Sequence, residues 1–141
     1  LIREITNPSI YAAYTDKELY NDPAIIIIKD NPKSSLSLYI LLAILNSKLA
    51  SFYHFNSSPK ATKGAFPKIL VTDIKDFPLP SGIKENYLGA IEKFAQEALE
   101  IKRQDFNVSL EKIDNEIDKL VYELYGLNQD EIDIIEATLK T

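Results

Sequence analysis

Apolar positions along this chain follow two periods, and the change from one to the other divides it. Leu1 to Ile5 alternates and predicts a strand. Ala24-Ile25-Ile26-Ile27-Ile28-Lys29 is a β-branched run between Asp22-Pro23 and Asn31-Pro32, which predicts a buried strand. Between these, Tyr11 to Tyr20 mixes aromatic and polar residues and fits neither period. Ser34 or Ser35 then offers a helix cap. Leu38, Leu41, Leu42, Leu45, Leu49 and Phe52 follow at three- and four-residue spacing and predict one helix of about four to five turns. Asn46 and Ser47 on that helix are read as local hydrogen bonders. Phe52 to Phe55 leads into a polar loop, Asn56 to Pro67. Lys68 to Val71 predicts a short strand, and Asp73 to Pro80 an extended exit, because each proline restricts the residue before it.

From Lys84 the period is helical throughout. Leu88, Ile91, Ala95, Ala98 and Leu99 form one stripe, and Leu110, Ile113, Ile117, Leu120, Val121 and Leu124 a second. Gly126 stands where a helix stops. Asn128 with Glu131 forms a capping box for a third helix striped by Ile132, Ile135 and Leu139. These patterns predict an α+β chain: a mixed α/β core over residues 1–80 and a helical extension of three helices over 81–141, joined at the Pro78-Leu79-Pro80-Ser81-Gly82 cluster.

Charge sharpens that division. Residues 1–80 hold nine Lys/Arg against seven Asp/Glu, and residues 81–141 hold seven against fourteen, within a total of −5. Asn31 to Thr72 contains no acidic residue at all, yet carries Lys33, Lys48, Lys60, Lys63 and Lys68 and the only histidine, His54. Lysines, small polar side chains and flanking aromatics suit a phosphate backbone and base edges. A solvated loop that happens to lack acids has the same composition, and both readings stand on this feature alone.

Most chemistry lacks its residues. Without cysteine there is neither a thiolate nucleophile nor a Cys-based zinc site, and one histidine leaves little for a catalytic triad. Lack of cysteine fits a cytoplasmic protein. The longest apolar runs, Ala24–Ile28 and Tyr39–Leu45, are too short to span a bilayer. Acidic spacings such as Glu111/Asp114/Asp118 read as solvated helix faces. Asn7-Pro8 and Asn31-Pro32 lack the second proline and the aromatic of an adenine-methylating motif, and no Gly-rich loop follows a strand. A chain that starts at Leu1 and holds no Met reads as a piece of a larger protein.

The order of features resembles a known family. Arg3-Glu4-Ile5, the Tyr11/Tyr14/Tyr20 stretch, the Ile25–Ile28 run, the Leu45-Asn46-Ser47-Lys48-Leu49 helix, Lys63-Gly64-Ala65-Phe66-Pro67 and Asp73 to Pro80 occur in that sequence. Together they are similar to the TaqI-like C-terminal specificity, or target-recognition, domain of N6-adenine DNA methyltransferases and fused type IIG restriction–modification enzymes. The Val121-Tyr122-Glu123-Leu124-Tyr125-Gly126-Leu127 tail resembles the helix that follows such domains and the related type I specificity subunits.

The resemblance implies a bacterial or archaeal domain that binds double-stranded DNA and has no catalytic residues of its own. It would position a target adenine for a methyltransferase domain of the same parent chain, with a nuclease as a further tethered activity. S-adenosylmethionine, and magnesium where a nuclease is present, would belong to the parent. On this reading Lys33, Lys60, Lys63 and Lys68 contact phosphates. Asn56, Ser57, Ser58 and Thr62 face base edges, Gly64 lets the backbone approach, and His54 sits among them. The competing class is an interaction module that docks a partner subunit through its acidic helices. Under either reading the Leu45–Leu49 helix, Phe52, Tyr53, Phe55, Tyr122 and Tyr125 serve mainly as packing.

Overall fold

The computed structural model describes all residues except Asn7, 63–65, 81–84 and 140–141. In chain order it contains β1 (Ile2–Arg3), β2 (Ile25–Ile26), α1 (Leu38–Asn46), α2 (Lys48–Ser57), α3 (Pro59–Thr62), α4 (Val71–Lys75), α5 (Glu85–Gln104), α6 (Glu111–Tyr125) and α7 (Gln129–Leu139). Helix accounts for more than half of the chain, beside one small antiparallel sheet, which is compatible with the α+β expectation.

Residues 1–6 are the spine of the β region. Ile2 pairs with Ile26 and Arg3 with Ile25. On the other edge Arg3 N–H donates to Tyr11 O and Ala13 N–H to Leu1 O. Further along, Ile5 bridges antiparallel to Lys68. The spine therefore changes partner every few residues, and this explains why the long strand expected over Ala24–Lys29 is not found. Its β-branched residues favour extension, but only Ile25 and Ile26 have a paired edge, and Ile27 is left 44% exposed.

The single helix expected from Leu38 to Phe52 is two. Ser47 adopts an extended backbone, φ −69° and ψ 155°, and is both C-cap of α1 and N-cap of α2. Its Oγ donates to Ile44 O at 2.6 Å and accepts from Ala50 N–H at 3.2 Å. The helices bend by 66° at this point, and no single described helix is long and apolar enough to cross a membrane. The N-cap of α1 is Ser37, not Ser34 or Ser35. Another correction falls on Lys68–Val71 and the exit after it: Lys68 makes one bridge, but Val71–Lys75 is helical. Asp73 Oδ2 accepts from Leu70 N–H at 2.7 Å, which satisfies an orphan donor and starts the turn.

Two apolar clusters flank α1. Ile40, Ala43 and Ile44 pack with Ile91 and Ala95 of α5 and Ile113, Ile117 and Val121 of α6. Leu45, with Leu41, packs instead with Ile2, Ile10, Ile26, Ala50 and Ile69. Such two-sided burial accounts for a helix that is apolar nearly all round. Downstream, α6 ends at Gly126 with φ +70°, and Asn128 Oδ1 accepts from Glu131 N–H while Glu131 Oε2 accepts from Asn128 N–H, as the sequence predicts.

Candidate nucleic-acid interface

The segment expected to be a polar loop, Asn56 to Pro67, is partly helical, with Asn56 and Ser57 in α2 and Pro59–Thr62 forming α3, so the anchoring of α2 determines where this loop unit lies. At its N-terminus, Asp118 of α6 accepts the Lys48 backbone N–H at 2.9 Å, placing a carboxylate at the positive end of the helix. Lys48 Nζ reaches both Glu136 oxygens at 3.0 and 2.9 Å and lies 3.5 Å from Asp118. Tyr122 donates its hydroxyl to Glu136 at 3.0 Å. Burial opposes the Lys48 charge, but Glu136 and Asp118 outweigh it and hold the pKa above its usual value. For Asp118, burial pushes the carboxyl up against the pull of Lys48. Lys48, one of the five lysines of the acid-free segment, is thus committed to an internal network. Asp118 is only 5% exposed, so the solvated-face reading is wrong for it. Its signal was its position, flanked by Ile117, Leu120 and Val121 on the apolar stripe.

Side chains of α1 and α2 also clamp the N-terminal segment. Asn46 accepts from Ala12 N–H at 2.9 Å and donates to Ala12 O at 3.0 Å, besides its local bond to Leu42 O. Ser51 Oγ accepts from Ile10 N–H at 3.0 Å. His54 Nε2 lies 3.3 Å from Thr6 Oγ1, both side chains being buried. Burial lowers the His54 pKa, while the Asp73 carboxylate and the Lys68 backbone work in the opposite sense. The reading of Asn46 as a local bonder missed its longer-range partner Ala12, which a Tyr11–Tyr20 stretch that fits neither period gave no means to find.

The loop is closed at its base. Ser58 N–H donates to His54 O at 3.0 Å and ends α2, and α3 follows at once. Lys68 N–H donates to Lys60 O at 3.1 Å, Thr6 N–H to Pro67 O at 3.1 Å, and Ile69 N–H to Glu4 O at 2.9 Å. Lys60, Thr62, Asn56 and Ser57 are exposed on this unit, Asn56 with its amide turned back onto Phe52 O. Lys68 is exposed and lies 3.6 Å from Glu4, a pair open enough to water to hold little energy. His54 and Ser58 are buried, so little of either is open to an outside ligand. Lys33 is exposed on a separate turn closed by Ser34 N–H to Asn31 O. Lys63 and Gly64 lie outside the described residues.

Two hollows adjoin these elements. One of about 170 Å³ lies beside α2, lined by His54, Tyr53 and Ser57 and by Asp73 and Asp76, whose charges do not invite phosphate. A wider groove of about 500 Å³ runs along α1 on the side of Tyr14, Leu19 and Ile27. Among the described residues no three His, Asp or Glu side chains gather as a metal set.

Residues 1–79, the span that contains the β spine, the α1–α2 bend and the closed loop, match the model of the TaqI-like C-terminal specificity domain. The chain belongs to this family. It is also similar to a Methanocaldococcus jannaschii protein provisionally named as a type II restriction enzyme and methyltransferase, with 28% identity over 131 residues. That alignment takes in 88% of this chain but 11% of the relative, so this specificity domain spans about a tenth of the length of the relative it matches. An alignment of 131 residues also reaches past residue 79 into the helical extension, which the family model does not cover. No solved structure matches the chain.

Proposed function

We propose that this chain is the sequence-specific DNA recognition domain of a restriction–modification enzyme. It places a target adenine for a separate S-adenosylmethionine-dependent methyltransferase domain of the same parent, and a cleavage site where a nuclease is tethered. The observation that carries the reading is the family match over residues 1–79, which includes the whole acid-free segment. Exposed Lys60 and Lys68 neutralise phosphates and set the register. Polar groups on the same closed unit, Asn56, Ser57 and Thr62, read base edges. Lys63 as a phosphate contact and Gly64 as a point of backbone approach belong to this reading from the sequence alone. His54 and Ser58 hold the unit's base from within. The acidic helices keep away from the duplex because like charges repel, and the apolar stripe of α6 is spent on the core rather than on a partner.

A titration of fluorescent duplex DNA at two salt concentrations, with random-sequence competitor, tests this. Salt-sensitive binding that survives the competitor for one sequence class is expected. Charge reversal at Lys60 should weaken it and flatten its salt dependence. Binding that the competitor removes for every sequence would reject specific recognition.

A further inference from the structure

Residues 66–70 alternate in burial in a way that the lysines alone do not explain. Phe66 is 65% exposed, Lys68 is exposed and Leu70 is 37% exposed, whereas Pro67 is half-buried and Ile69 is 2% exposed. Lys68 sits in the bridge to Ile5, and Phe66, at the bend that leads into it, is exposed as well. The segment is pinned through Pro67 O, Lys68 N–H and Ile69 N–H to Thr6, Lys60 and Glu4. The backbone on the C-terminal side of the ring is therefore held in place. Across the Ile5–Lys68 bridge lies the spine, where Arg3 lies 4.3 Å over the exposed Tyr11 ring and donates its Nε–H to Ile5 O at 2.9 Å. Two carboxylates lie near this segment: Glu4, 3.6 Å from Lys68 in an open pair, and Asp73, whose Oδ2 accepts from Leu70 N–H.

A large exposed ring on a segment that also carries Lys68, bonded through the backbone to Lys60 and bridged to the spine that carries Arg3, suits a surface with flat π-faces and regular negative charge, and a nucleic-acid duplex has both. We infer that this exposed segment is a DNA contact surface on which Phe66 stacks against, or wedges between, bases while Arg3, Lys60 and Lys68 hold the flanking phosphates. The inference rests on the DNA-recognition reading and adds to it a non-electrostatic contact and a second basic element. Stacking contributes without charge, so ring and lysines should leave different signatures.

The test compares the 141-residue chain with Phe66→Ala, Phe66→Tyr and Lys60→Gln variants, on duplexes drawn from the sequence class it selects and carrying 2-aminopurine at successive positions. Phe66→Ala should weaken binding about tenfold with the salt slope unchanged, and Phe66→Tyr should restore it. Lys60→Gln should lower the slope by about one. Wild-type protein should raise 2-aminopurine fluorescence at one step, and Phe66→Ala should not. If wild type binds but Phe66→Ala binds as tightly and gives the same fluorescence, the stacking inference falls and the DNA reading survives. Failure of the wild-type chain to bind any duplex at low salt would sink both. Loss of binding together with a lowered melting temperature in Phe66→Ala would make the ring scaffold rather than contact, and would also overturn the inference.

Discussion

Burial of the His54 ring against Thr6 disfavours its protonated form, and its folded pKa lies below the usual 6.5. The unfolded chain therefore binds a proton first as pH falls. Stability is complete above about pH 6.5, falls as pH drops below that value, and levels off below the folded pKa. His54→Gln should remove this part of the pH dependence, read as a flatter plot of urea midpoint against pH between about 7 and 5. Gly126 poses a simpler case. Its φ of +70° is the left-handed conformation, and a Cβ there would meet nothing within 4 Å. Gly126→Ala should thus cost about 1 kcal/mol from the backbone alone, measurable as a drop in melting temperature of about 3–4 °C.

At the scale of elements, the junction of α1 and α2 turns on one buried serine. Ser47 is 2% exposed, and its hydroxyl serves the last turn of one helix and the first of the next. Removing it orphans Ala50 N–H, so Ser47→Ala should cost about 1 kcal/mol in chemical denaturation. A continuous apolar stripe through Leu45, Leu49 and Phe52 hid this break, since a serine inside a helical pattern costs little and leaves the period intact. The end of α6 and the start of α7 were legible because Gly126 acts through its own backbone and Asn128 and Glu131 each accept the other's backbone N–H on a side-chain oxygen, three residues apart. The β elements were not: Ile25–Ile28 and Lys68–Val71 have the residues of strands, but pairing depends on how long a distant spine stays alongside.

Across the whole molecule, the acidic helices determine where α2 and the closed unit that follows it sit. Asp118 of α6 and Glu136 of α7 hold the start of α2, and the loop hangs from its other end. Asp118→Ala should cost about 2 kcal/mol, the order of a buried charged hydrogen bond, in urea unfolding. Glu116→Ala, which opens only the exposed pair with Lys119, should change stability by no more than about 0.5 kcal/mol.

The sequence by itself determined the helical second half with its stops, the acid-free basic segment and the resemblance to a specificity domain. Periodicity, capping chemistry and charge are local properties, written within a few residues of where they act. Only the tertiary structure decided which basic residues face outward. It drew Lys48 into a network with residues 70 and 88 positions away, buried His54 under Thr6, and turned Phe66 outward beside Lys68. Those outcomes depend on partners brought together by packing on both sides of α1, and no local pattern encodes the far side of such a contact.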